Sequence, residues 1–351
     1  MARILFRVDG NSKIGAGHIM RCTSIACEAK KQGHECAFLS SDESYKKVVE
    51  NHGIPMHSMN TAYDDMDREW DRSKTILQTF MPEIIVIDSY YVTEQYLREM
   101  GKYASVVYID DVLSFPYPVD MLINYNIYAM ESDYASLYKG KNMPRLLLGL
   151  EFAPLRKEFQ EITPIDIVEQ AKKVLVTTGG ADEERILIQL VNEVLGRDTE
   201  LEYHLLVTKY EPDLARLHEI AKKNTKIILH ENVKSVSELM CMCDMAISSA
   251  GSTLYELCAC GLPTITYVIE DNQIQAARTM SDKGIMPSCG DIRVEHNIYS
   301  KLIMLAEKLS KEFPLRKEMQ CKGRQLVDGK GVERLVKAME KTIVHDFSSC
   351  I

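Results

Sequence analysis

The 351-residue chain reads as an α/β protein made of two parallel-sheet domains. Short apolar β-forming runs alternate with amphipathic helical stretches along most of its length. The alternation restarts near residue 171 with a second strand, a second glycine turn and a second helix, and the length suits two domains of ordinary size. Hydrophobic residues make up 46 % of the chain, enough for two cores.

Ile4, Leu5 and Phe6 form the first apolar run, with the composition of a buried parallel strand. The stretch G-N-S-K-I-G-A-G-H-I-M-R follows at Gly10–Arg21. Gly15 and Gly17 permit positive backbone dihedrals and close approach of a ligand to the main chain. The free N–H groups at the start of the next helix favour an anion there. Ile19, Cys22, Ile25, Ala26 and Ala29 recur at helical spacing until Gly33. His18 falls in the first turn of that helix, where the positive helix end favours its proton-accepting form, and it is the candidate general base. G-x-G-x-x-G is absent, and a histidine at such a junction also serves structural ends.

A strand is predicted at Cys36–Leu39, a helix at Glu43–Asn51, an extended piece at Pro55–Ser58 and a helix at Asp67–Phe80. Ile84–Ile87 is a central strand closed by Asp88, Ser89, Tyr90 and Tyr91. Ligands of open α/β sheets bind outside the carboxyl ends of strands, so Tyr90 or Tyr91 is placed to touch substrate or to pack. A helix at Glu94–Gly101 leads to a strand at Ser105–Ile109 that again ends in acids, Asp110 and Asp111, of which one suits a turn or a cap. Asn124 and Asn126 share a face of the extended run Met121–Asn126, where they orient a sugar or bond loop backbone. Arg145–Leu150 closes the first domain, residues 1–150. Residues 151–170, with Pro154 and Pro164, read as the linker, and 171–351 as the second domain with its C-terminal helices.

The second domain opens with a strand at Val174–Thr177, the turn Thr178–Gly180 and Asp182 as a helix cap. Strands are predicted at Tyr203–Val207 and Ile227–Leu229, and helices at Pro212–Lys222 and Val236–Cys241. In D-M-A-I-S-S-A-G-S-T-L-Y-E-L-C-A-C-G, Met245–Ile247 is a strand, Ser248–Gly251 a small-residue turn, and Ser252 or Thr253 opens a helix that ends at Gly261. The start of that helix is a second place for phosphate oxygens, with Ser249 in the turn, and Glu256 lies one turn on, within reach of a ribose diol. Asn272 and Gln273 stand just ahead of another helix after the strand Thr264–Val268. Three helical stretches finish the chain, among them Glu295–Leu309 and Gly331–Val344.

The formal charge of −9 argues against nucleic acid as a partner. No run has the roughly 20 apolar residues of a membrane span and none resembles a signal peptide, so a cytoplasmic protein without membrane insertion is expected. The ten cysteines are scattered, as buried thiols of a reducing compartment would be.

Taken in order, F-R-V-D-G-N-S-K-I-G-A-G-H-I-M-R (6–21), V-I-D-S-Y (86–90), I-D-D (109–111), L-I-N-Y-N-I-Y-A (122–129), P-L-R-K-E-F (154–159), T-G-G-A-D (178–182) and I-S-S-A-G-S-T-L-Y-E (247–256) resemble the UDP-sugar hydrolases of pseudaminic acid biosynthesis, a family grouped with spore-coat polysaccharide proteins of the SpsG type. The resemblance runs from about residue 3 to about residue 285. It implies two Rossmann-like domains facing a cleft, of the GT-B type. It also implies release of UDP from UDP-2,4-diacetamido-2,4,6-trideoxy-β-L-altropyranose by water, with inversion and with neither metal nor cofactor. On this resemblance His18 is the base, Gly15, Gly17, Tyr90, Asn272 and Arg156 meet the sugar side, and Gly180, Ser249, Ser252, Thr253 and Glu256 hold UDP. Ser89 stands where some members have histidine. Other enzymes of nonulosonic acid biosynthesis are candidate partners. The rival readings are a hydrolysing 2-epimerase using Asp9, Asp88, Asp110 or Asp111, a GT-B glycosyltransferase, and a non-catalytic nucleotide-sugar-binding module.

Overall fold

The computed structural model describes residues 1–342 apart from 12, 181, 183 and 209–210. The chain divides into one unit of Met1–Arg156 with the segment from Lys330 onward, and a second of Lys157–Gly329.

The first unit begins with β1 (Arg3–Val8), α1 (Gly17–Lys31), β2 (Glu35–Ser40), α2 (Lys46–Glu50) and β3 (Met56–Ser58). It continues with α3 (Trp70–Phe80), β4 (Ile84–Asp88), α4 (Glu94–Met100) and β5 (Ser105–Ile109). The strands β6 (Met121–Asn124) and β7 (Arg145–Leu148) flank the short α5 (Tyr134–Leu137). All seven strands are parallel, in the order β3-β2-β1-β4-β5-β6-β7. The apolar runs are buried on both faces: Ile84–Ile87 and Leu5–Phe6 are essentially inaccessible, as crossover helices require. The chain winds outward from β1 to β3, then returns to β4 on β1's other side. That reversal makes a crevice at the carboxyl ends of β1 and β4.

The second unit repeats the design with β8 (Lys173–Thr177), α6 (Ile186–Leu195), β9 (Glu202–Val207), α7 (Leu214–Lys223) and β10 (Ile227–Glu231). Then come α8 (Val236–Met242), β11 (Met245–Ser249), α9 (Thr253–Cys260), β12 (Thr264–Val268) and α10 (Asp271–Asp282). The edge strand β13 (Ser288–Asp291) precedes α11 (Ile298–Lys311) and α12 (Phe313–Leu326). The sheet order β10-β9-β8-β11-β12-β13 puts the reversal between β8 and β11. Ile186, Leu190 and Val191 of α6 and Leu302, Ile303 and Ala306 of α11 pack with Tyr203, Leu205 and Ile247 into its core.

The last helix, α13 (Gly331–Glu340), corrects the expected domain division, because it belongs to the first unit and not to the second. Its apolar stripe of Val332, Leu335, Val336 and Met339 is fully buried, and it packs on α1. His34 bridges the backbone N–H of Ala2 (3.2 Å) and Glu340 (3.0 Å), and Arg145 donates to the Ala338 carbonyl. The expected end of this helix, residues 343–344, lies outside the described residues. The proposed linker also divides, residues 151–156 going with the first unit and 157–170 with the second.

Gly331 sets how closely α13 lies on the 150–153 turn: a β-carbon there would stand 2.0 Å from the Ala153 carbonyl oxygen. Gly331→Ala is therefore expected to destabilise the first unit by about 1–3 kcal/mol, read as a lower urea midpoint. An unchanged midpoint would contradict this packing.

Candidate active site

At the carboxyl end of β1, Gly10 lets the chain pass α1 closely, since a β-carbon would meet Ile19 at 2.7 Å. Gly15 adopts φ +74°, a conformation costly for other residues, and its N–H closes on the Asn11 carbonyl at 2.9 Å. Gly17 opens α1 with no atom within 4 Å of where a β-carbon would sit, so the main chain is accessible there. Among the described residues no side chain caps the helix start.

His18 and Arg21, three residues apart on α1, share a face and converge on Asp88 at the end of β4. His18 Nδ1 lies 2.6 Å from Asp88 Oδ1. Arg21 donates Nε to Oδ2 and Nη2 to Oδ1, each at 2.5 Å. Asp88 is 1 % exposed. Burial alone would raise its pKa, but the Arg21 charge and then His18 outweigh that and hold it well below the usual carboxylate range. An ionised carboxylate only accepts hydrogen bonds, so His18 Nδ1 carries a proton, and in the neutral ring the lone pair sits on Nε2. The 3.0 Å approach of Arg21 Nη2 to Nδ1 is then two donors converging on one oxygen.

Arg21 also donates Nη1 to the Tyr125 hydroxyl at 2.7 Å and lies 3.6 Å from Asp111. The Tyr90 ring meets His18 edge-on, with centroids 4.7 Å apart. A cavity of about 10 Å³ is lined by His18, Asp88, Asp9, Ile14, Ser89, Tyr90 and Tyr91, room for about one water.

Beneath the loop, Arg7 is fully buried and grips Glu69 through Nε (2.5 Å) and Nη2 (2.8 Å) and Asp9 through Nη1 (2.7 Å). The Tyr96 hydroxyl donates to Glu69. Asp9 also accepts from Ser40 Oγ and the Ser41 N–H, so its carboxylate anchors the loop. Asp110 accepts from the hydroxyls of Tyr117 and Tyr134 and from the N–H groups of Val112 and Leu113. It is a turn acid, as one of that pair was expected to be. Asn124, 0 % exposed, bonds Tyr134 and Asn126. Of its two expected uses it takes the structural one.

In the second unit, the turn after β8 and the start of α9 adjoin. Gly179 has φ +76°, and a β-carbon there would stand 3.0 Å from Ser249 Oγ and 3.4 Å from Thr253 Oγ1. Ser249 is 1 % exposed and donates to the Thr178 carbonyl at 2.7 Å. Its hydroxyl therefore stitches the two turns together, where a direct contact with UDP was expected. Gly180 and Ser252 are exposed and Thr253 half-buried, and among the described residues no side chain caps α9. Glu256 is half-buried in the first turn of α9. Asn272 is exposed on the first turn of α10. Gln273, its neighbour, accepts from the Ile269 N–H and approaches Gly251. Arg156 is half-buried at the end of the first unit.

The geometry thus brings His18 and Tyr90 together on one cavity, and sets the Gly179 turn against Ser249 and Thr253 at the start of α9. Reading the sequence left Asp88 undecided among four acids and passed over Arg21 and Tyr125. The R-C-T after G-H-I-M was the available signal for Arg21, since position i+3 from His18 shares its helix face.

Residues 174–328 match the glycosyltransferase family 28 C-terminal domain. The chain is 24 % identical over 290 residues to the uncharacterized protein MJ1062 of Methanocaldococcus jannaschii, covering 78 % of this chain and 56 % of that one, a little over half its length. It is 25 % identical over 288 residues to the UDP-2,4-diacetamido-2,4,6-trideoxy-β-L-altropyranose hydrolase of Campylobacter jejuni, covering 80 % and 97 %. MurG from Acinetobacter baumannii superposes with a TM-score of 0.67 at 12 % identity, over 97 % of this chain and 99 % of that one. The fold is of the GT-B type. Among the described residues no helix is long and apolar enough to cross a membrane.

Folding lowers the pKa of Asp88 from its ordinary 3.8. Its pairing therefore adds stability above pH 3.8 that is lost as pH falls below that value. Asp88→Asn is expected to cost up to about 3–5 kcal/mol near pH 7, because it takes the bidentate carboxylate from Arg21. The gap to the unsubstituted protein should narrow below pH 4 in urea titrations. A gap independent of pH would contradict the ion pair.

Proposed function

We propose that this chain is a nucleotide-sugar hydrolase that releases UDP from UDP-2,4-diacetamido-2,4,6-trideoxy-β-L-altropyranose by attack of water on the anomeric carbon with inversion. The observation that carries the reading is the 2.6 Å contact between His18 Nδ1 and Asp88, which assigns the ring's lone pair to Nε2. The similarity to the Campylobacter hydrolase across 97 % of its length supports the choice of substrate.

In this reading a water held beside His18 loses a proton to Nε2 as its oxygen bonds the anomeric carbon. The bond from that carbon to the phosphate oxygen breaks, and its electron pair leaves with UDP. Asp88 stabilises the imidazolium so formed, and general-base assistance of this kind is worth about 10²–10⁴ in rate. The departing charge falls to N–H groups at the start of α9 and the Thr178–Gly180 turn, with Ser252 and Thr253 beside the phosphates and Glu256 on the ribose. The proposal calls for no metal or cofactor. Gly15, Gly17, Tyr90, Arg156 and Asn272 serve the sugar. Asp9 and Asp110, each saturated by structural donors, are poorly placed to take a proton from the sugar as a 2-epimerase requires.

Incubation of the protein with the UDP-sugar, without acceptor, in ¹⁸O-labelled water should place label on the anomeric hydroxyl and none in UDP. NMR of the first-formed sugar should show an inverted anomeric centre with C2 unchanged. Altered C2, or no release without an acceptor, would select epimerase or transferase instead. His18→Ala should lower turnover at least ~100-fold while UDP affinity by calorimetry stays nearly intact. Near-normal turnover would remove His18 from the role.

A further inference from the structure

We propose that Asp111 is a positioning residue: it anchors the Tyr90 hydroxyl and thereby holds the His18 ring in place from the side that Asp88 does not reach. The inference rests on the reading of His18 as the base. Asp88 fixes the imidazole through one nitrogen only, and one hydrogen bond leaves the ring free to rock about it. The second restraint is the Tyr90 ring, edge-on at 4.7 Å. Tyr90 is 44 % exposed and follows the end of β4, so neighbouring packing alone does not pin it. What pins it is its hydroxyl, which donates to Asp111 Oδ2 at 3.1 Å.

Asp111 suits this task and not that of a second base. Its carboxylate lies 3.6 Å from Arg21, the residue that holds Asp88. Arg21 therefore ties the two restraints on His18 into one frame, Arg21–Asp88–His18 on one side and Arg21–Asp111–Tyr90 on the other. Burial raises the pKa of Asp111, against the pull of Arg21, and burial, then Asp111 itself, raises that of Tyr90. The tyrosine thus keeps the proton it donates. Asp110, one residue earlier, is consumed by Tyr117 and Tyr134. Of the I-D-D acids, only the second lies on Tyr90.

The test is a double-mutant cycle on the full chain with two readouts. Asp111→Ala and Tyr90→Phe should each lower kcat about 10-fold, with KM little changed in Asp111→Ala, since both loosen the same ring. The double variant should be no worse than either single one. Asp111→Asn, whose amide oxygen still accepts from the tyrosine, should recover most of the loss. In the free protein, the His18 Cε1–H NMR resonance should move in both single variants and less in Asp111→Asn. Losses that multiply to about 100-fold in the double variant, or an unmoved His18 resonance in Asp111→Ala, would overturn the proposal. The NMR arm needs no substrate. If the unsubstituted protein hydrolyses no UDP-sugar, the functional reading fails while the resonance still decides the role of Asp111.

Discussion

The bidentate ion pair between Arg21 and Asp88 is the constraint on which the first unit's site depends. Burying a carboxylate costs several kcal/mol unless its oxygens are matched, and here each oxygen of a nearly inaccessible Asp88 takes an Arg21 donor at 2.5 Å. The pair keeps Asp88 ionised, and the ionised carboxylate then dictates which nitrogen of His18 carries the proton. Local helix geometry puts histidine and arginine on one face, and sheet topology brings the acid beside them, because β4 pairs with β1 in parallel register.

The same topological device serves both units in different ways. In each, the strand order reverses where a glycine turn meets a helix start, leaving N–H groups exposed at the carboxyl edge. The first unit fills its crevice with titratable groups and anchors them on a buried network of Arg7, Glu69 and Asp9. The second joins its two turns through one serine hydroxyl, beside the start of α9, a surface suited to oxygens of a bound anion.

Most of the fold was legible because parallel strands are continuous apolar runs: Ile84–Ile87 and Val174–Thr177 announce themselves. Ser288–Asp291 did not, because S-C-G-D has neither alternation nor β-branched residues and is a strand only by pairing at the edge of β12. Chain order suggested that the last helix stays with the second domain, whereas the stripe Val332, Leu335, Val336, Met339 is complementary to α1, some 300 residues earlier. His18 stood out by its place after the glycines. Arg21 did not, since a lone arginine on a helix looks solvated. Arg7 and Glu69 pair across 62 residues, and no local pattern reports such a contact.

Whether Asp88 fixes the tautomer of His18 is read from long-range ¹H–¹⁵N correlation of the labelled imidazole. Where the ring is neutral, Nδ1 should carry the proton and Nε2 the lone pair, a preference lost in Asp88→Ala. A proton on Nε2 with a bare Nδ1 would contradict it.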